Sequence, residues 1–185
     1  NGLKPGEIAA RVTHLAFYTG WPNAVSALDA IEPAFAERKV DMATLRAPAP
    51  APSPVSSSAT AEARSVDTTI GPFAPKLAQL TKDVLLDDLW QRGDLTPRDR
   101  RLVTIIAYAA TGDAAQLPAH LRRGIENGLT RPQIAEALTH LAFYAGWPKA
   151  VAAVRAFGET ITDETPTGRL EIHRPGTDPR AGPAD

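Results

Sequence analysis

Residues 95–153 read LTPRDRRLVTIIAYAATGDAAQLPAHLRRGIENGLTRPQIAEALTHLAFYAGWPKAVAA, and their punctuation divides them into helices. Thr96 followed by Pro97 is an N-cap with proline at the first helical position. It opens a helix whose apolar residues Leu102, Ile105, Ile106 and Ala109 continue to Ala110, with Gly112 as its stop. Leu117, Leu121 and Ile125 predict the next helix over Ala114 to Asn127, capped by Gly128. Thr130-x-x-Gln133 is a capping box that starts a helix carrying Ile134, Leu138 and Leu141. Gly146 ends that helix, and Pro148 begins another that runs to Ile161. Upstream, Leu77, Leu80, Val84, Leu85 and Leu89 recur at helical spacing and predict an amphipathic helix over Ala74 to Gln91. Strand patterns are lacking, so the fold class is all-α.

The end of this stretch occurs twice. Residues 1–28 (NGLKPGEIAARVTHLAFYTGWPNAVSAL) and 127–154 (NGLTRPQIAEALTHLAFYAGWPKAVAAV) agree at 17 of 28 positions at a constant offset of 126. Two copies of one unit follow. Residues 70–162 read as a complete unit, whereas residues 1–40 hold only the C-terminal half of a first one, as two helices over 5–19 and 22–38. That is the pattern of a tandem protein truncated at its start. A half-unit needs a partner for Leu15, Phe17, Trp21 and Val25, on the second unit or on a neighbouring chain. Between the copies, residues 41–69 are Pro/Ala/Ser-rich and read as a largely unstructured tether. The tail from residue 163 to 185 has a similar composition and reads as disordered.

Composition narrows the chemistry. The 185 residues carry 43% apolar and 22% charged side chains, a net charge of -1 and no cysteine. Thiol-based redox steps, disulfides and thiolate metal sites are excluded within them. The charge balance argues against nucleic acid as a partner. No apolar run reaches the roughly 20 residues that span a bilayer, so no membrane segment is expected. The expected compartment is the cytoplasm, although a signal at a true N-terminus would not be visible in a chain that starts in mid-unit.

Four histidines are present: His14, His120, His140 and His173. None has a second ligand at metal-binding spacing, so no metal site is expected. Glu136 and His140 share a helix face and could form a carboxylate–imidazole couple, but the first copy has Ala10 in place of Glu136. For His140 the ordinary reading, a buried helix histidine bonded to a backbone carbonyl, stands ahead of a catalytic one. For His120 the two are balanced. Arg98, Arg100 and Arg101, with Arg122 and Arg123 on the following helix, could hold a dicarboxylate through paired hydrogen bonds. The commoner fate of such arginines is a solvated face paired with Asp99, Asp113 and Glu126.

The R-x-R-x-L opening of the helix at residue 98, the histidine at 120 and the THLAFYAGWP block together resemble the carboxymuconolactone decarboxylase family. The resemblance covers residues 72–160 in full and residues 1–38 as a second half. It implies an all-α AhpD-like helical bundle, usually assembled as a trimeric or hexameric homo-oligomer. One branch of the family reduces disulfides and peroxides through a C-x-x-C-x-x-x-H helix. Alignment on His120 puts Asp113 and Gln116 where its cysteines would be, so that branch has no thiol here. The other branch decarboxylates 4-carboxymuconolactone in aromatic catabolism without a cofactor, because the unsaturated lactone accepts the electrons left by CO2. By resemblance, His120 is the proton donor, and Arg98 and Arg101 bind the carboxylates of a small-molecule substrate. Decarboxylase-like members often carry Glu-Leu-x-x-His where this chain has Gln116-Leu117-Pro118-Ala119-His120. Gln116 cannot ionise, and this departure leaves a non-catalytic ligand-binding or assembly member as the alternative.

Overall fold

The computed structural model describes residues 2–46 and 57–163. The Pro/Ala run at 47–56 and the expected tail at 164–185, with His173, lie outside the described residues. Eight α-helices account for most of the rest: α1 (Pro5–Thr19), α2 (Trp21–Glu37), α3 (Ser57–Thr69), α4 (Pro75–Leu80), α5 (Pro97–Thr111), α6 (Leu117–Glu126), α7 (Arg131–Ala145) and α8 (Trp147–Asp163). No strand occurs among the described residues, and the class is the all-α bundle of the AhpD-like fold.

Local chemistry sets the ends of the central helices. Thr96 Oγ1 accepts from the Asp99 backbone N–H at 3.1 Å and starts α5. Gly112 closes it in the left-handed region at φ 89°, which a side chain would strain. The reciprocal bonds of Thr130 and Gln133, 3.3 and 3.1 Å, start α7. Pro118 sits in the first turn of α6, where its missing N–H leaves no helical bond unmade.

Helices α5 to α8 enclose the main core. Ile105, Leu117, Leu121, Ile134 and Leu138 have no exposed surface, and Phe157 and Ala153 from α8 complete the layer. Gly124 lets α6 approach closely, since a Cβ there would meet Ile105 and Leu129 methyls at 3.0 Å.

Two expectations need correction. Residues 74–91 do not form one helix: α4 passes into a π-helical turn at Thr81–Leu86 and a 3-10 turn at Leu89–Gln91. The wider π turn shifts the register, burying Leu86 and Leu89 while Leu77 and Leu80 stay exposed. The tether is also more ordered than its composition indicates. Met42–Arg46 is a 3-10 turn and 57–69 is helix, because Val66 of α3 finds a pocket against Ala78 and Leu86.

The α1–α2 hairpin packs on the rest of the bundle through α1 against α5. The face turned to α5 bears Ala10 and His14, both buried, with Tyr18 half-buried one turn further along. Phe17, Trp21 and Val25, expected to need cover, are exposed, as are their counterparts Phe143, Trp147 and Val151. No helix of the described residues is long and apolar enough to cross a membrane.

Candidate active site

Helix α5 carries two consecutive arginines into the interior, Arg100 at 2% and Arg101 at 3% exposure. A buried guanidinium is tolerated only when its donors are used. Arg100 meets that demand within the chain. Its Nη2 donates to the Arg92 carbonyl and to Asp94 Oδ1, both at 2.7 Å, and its Nη1 donates to His14 Nδ1 at 3.3 Å. Guanidinium nitrogens only donate, so the His14 proton lies on Nε2. That proton goes to Thr104 Oγ1 at 2.7 Å, and the Thr104 hydroxyl donates to the Arg100 carbonyl at 3.0 Å. The circuit is closed. Burial, reinforced by the Arg100 and Arg101 charges, pushes His14 down to about 3.

Arg101 is arranged differently. Its Nη1 donates to His120 Nδ1 at 2.7 Å and lies 3.5 Å from Glu62 Oε1. The same Glu62 oxygen accepts from Arg123 Nη1. A carboxylate from α3 is thus seated between two guanidiniums, one of which also holds His120. The Arg101 guanidinium lies 4.1 Å from the centre of the Trp90 ring. Its buried Nε has no hydrogen-bond partner among the described residues.

His120 is held neutral, with its proton on Nε2. Burial, followed by the Arg101 and Arg123 charges, lowers it to about 3. No described residue accepts from that Nε2. Tyr108 packs on the imidazole at 4.9 Å between ring centres, and Tyr18 packs on Tyr108 at 5.4 Å. Tyr18 Oη in turn accepts from Trp90 Nε1 at 2.8 Å. Such an assembly can hold a carboxylate by two cations and present a neutral N–H to charge developing next to it.

Of the residues singled out in the sequence, Arg101 and His120 come together. Arg98 does not join them. It is over a third exposed and pairs with its neighbour Asp99 at 2.6 Å, which also binds Arg11 at 3.2 Å. Gln116 is exposed at the foot of α6, outside the cluster. Glu136 and His140 are both exposed, with no hydrogen bond between them, and His140 rests against Tyr144 at 5.0 Å. The buried position expected for His140 belongs instead to its counterpart His14. The sequence reading missed Glu62, Trp90, Tyr108 and Tyr18. Only Tyr18 had a signal available, as the tyrosine of the repeated THLAFY block.

Residues 75–159 match the carboxymuconolactone decarboxylase family. The chain is similar to a 4-carboxymuconolactone decarboxylase of Acinetobacter baylyi, 36% identical over 76 residues, 41% of this chain and 57% of that protein. It is also similar to a nitrosuccinic acid decarboxylase of Metarhizium robertsii, 32% identical over 104 residues, 56% of this chain and 71% of that protein. The chain therefore spans little more than half the length of the bacterial relative.

Proposed function

This chain belongs to the carboxymuconolactone decarboxylase family, and from that premise we propose that it decarboxylates a small polycarboxylate that carries its own electron sink. Both relatives are named as decarboxylases, so decarboxylase-like function is the common ground. Their substrates share a chemical feature: the lactone carbonyl of one and the nitro group of the other can each take up the electron pair left by CO2. A carboxylated lactone of the kind found in aromatic catabolism is the substrate favoured here.

The observation that carries the proposal is the Glu62 carboxylate seated between Arg123 and Arg101, the guanidinium that also holds His120. A substrate carboxylate replacing Glu62 would take the same two guanidiniums. The bond from the departing carboxylate to the ring then breaks and CO2 leaves. Its electron pair moves to the carbonyl oxygen, giving a dienolate. The His120 Nε2–H stabilises that oxygen as a hydrogen-bond donor, and carbon takes its proton from water, whose hydroxide leaves with the CO2 as bicarbonate. The Arg101 contact on Nδ1 fixes the tautomer that makes this possible. His120 is thus a neutral donor rather than an imidazolium acid.

Incubation of the chain with 4-carboxymuconolactone, followed by loss of lactone absorbance and release of CO2, tests the proposal. His120→Gln should lower kcat by about 100-fold or more, and Arg101→Gln should raise KM by about 10-fold or more. Failure of the wild-type chain to act on either the lactone or nitrosuccinate would overturn it. One observation favours a second reading, binding without turnover: Glu62 already fills the seat. Tight binding of the lactone with no CO2 release would establish that reading instead.

A further inference from the structure

We infer that Tyr18 is a catalytic residue of this site, donating its phenolic hydrogen to the substrate oxygen on which negative charge gathers. Residues 1–40 then complete the active site of the unit at 70–162. The inference rests on the decarboxylase reading above and adds a residue that neither the family motifs of residues 75–159 nor the His120 helix contains.

Three observations converge on the Tyr18 hydroxyl. Its oxygen is already an acceptor, taking the Trp90 Nε1–H at 2.8 Å, while no described residue accepts its hydrogen. A hydroxyl that accepts one hydrogen bond is a stronger donor of the next. Its surroundings are those of the reacting atoms: Tyr18 packs on Tyr108, Tyr108 packs on His120, and Trp90 lies over the Arg101 guanidinium. Burial raises the phenol well above its ordinary range, so it stays protonated and able to donate at any working pH. Arg101 Nε, His120 Nε2 and the Tyr18 hydroxyl hydrogen have no described acceptor, and of these the Arg101 Nε is sealed inside the protein, which leaves His120 and Tyr18 as the donors a substrate oxygen can meet.

The chain supplies its own control. Tyr144 is the counterpart of Tyr18 at the same place in the repeated block, but it is 78% exposed and, among the described residues, its ring contact is with His140 and not with an arginine or an indole. A role that followed from the block alone would belong to both tyrosines. A role that follows from the site belongs to Tyr18.

The test compares the full chain with Tyr18→Phe, Tyr144→Phe and His120→Gln, each checked for an unchanged helical spectrum and melting temperature. With the lactone, Tyr18→Phe should lower kcat about 100-fold, the usual effect of losing one oxyanion donor, and leave KM within about 3-fold because the carboxylate seat is intact. Tyr144→Phe should match wild type. A second arm needs no turnover: the nitronate of 3-nitropropanoate, which combines a carboxylate with a fixed oxyanion, is titrated against tryptophan fluorescence. Wild type and Tyr144→Phe should bind it about 10-fold or more tighter than Tyr18→Phe does. If wild type turns the lactone over and His120→Gln does not, yet Tyr18→Phe equals wild type, the Tyr18 role is overturned and the decarboxylase reading stands. If wild type binds the nitronate without acting on the lactone or on nitrosuccinate, the decarboxylase reading fails, and the loss of affinity in Tyr18→Phe alone judges the donor role. A wild-type chain that turns over neither substrate and does not bind the nitronate overturns both.

Discussion

Acidification from about pH 7.5 to about pH 5 should remove about 4 kcal/mol of folding stability, because two histidines are buried in neutral form. His14 and His120 both sit at about 3 in the folded chain, against 6.5 when unfolded. Above 6.5 neither state takes up a proton at these positions, and the histidines give no pH slope. Below 6.5 the unfolded chain protonates each of them while the folded chain does not. Stability then falls by about 1.4 kcal/mol per pH unit for each histidine. The loss continues until the folded-state value near 3 is reached. At pH 5 it amounts to about 2 kcal/mol per histidine, a large share of the roughly 5–15 kcal/mol available to a domain. Stopping at pH 5 keeps the carboxylates, which titrate near 4, largely out of the window. Urea unfolding at half-unit pH steps reads the effect as a falling midpoint at constant m-value. His14→Asn or His120→Gln, by removing one titrating group, should halve the slope while lowering the stability at neutral pH. A wild-type midpoint that does not move between pH 7.5 and 5, or a slope that both variants leave unchanged, would refute the buried neutral pair.

Glu62→Gln removes the carboxylate that occupies the Arg101–Arg123 seat. Succinate affinity, measured by calorimetry, should rise by about 3- to 10-fold as the internal competitor is lost, with a stability cost of about 1 kcal/mol; a fall in affinity would mean that Glu62 helps to bind the ligand. Gly124→Ala places a methyl 3.0 Å from Ile105 and Leu129 side chains and should lower stability by about 1–3 kcal/mol. An unchanged or higher melting temperature would show that those two side chains yield without strain.

Most of the helical scaffold was legible because its signals are local. Thr96, Thr130 and the prolines after them mark helix starts that no distant contact has to confirm, and α5 and α7 begin where those signals fall. The segment at 74–91 was misread because periodicity assumes constant geometry. Its apolar residues keep helical spacing in sequence, but the π turn at Thr81–Leu86 changes which of them faces inward. The helix at 57–69 was missed for the opposite reason: its sequence is polar, and its order depends on Val66 meeting residues far along the chain. The site divides along the same line. Arg101 and His120 lie on adjacent helices and were singled out, with Arg98, by the family resemblance. Glu62, Trp90 and Tyr18 come from three other segments, and their convergence is a tertiary fact.

Arg100–His14 and Arg101–His120 amount to the same chemical pair set twice on adjacent positions of one helix, and the contrast between them locates the function. In each pair a guanidinium holds Nδ1 and forces the proton onto Nε2, and in each the imidazole is driven to about 3. At the first, Thr104 and the Arg100 carbonyl consume that proton, Asp94 neutralises the cation, and nothing remains for a ligand to meet. At the second, His120 Nε2 and Arg101 Nε have no described acceptor, and the charge is balanced by a carboxylate delivered from a separate helix. A buried donor left unmade costs about 1–3 kcal/mol, and stability alone gives no reason to carry that cost at Arg101 when its neighbour shows the same pair fully satisfied one position away. Arg100 and His14 therefore belong to the docking of α1 on α5, and under the proposed decarboxylation the His120 donor beside them is kept for the substrate oxygen on which charge gathers.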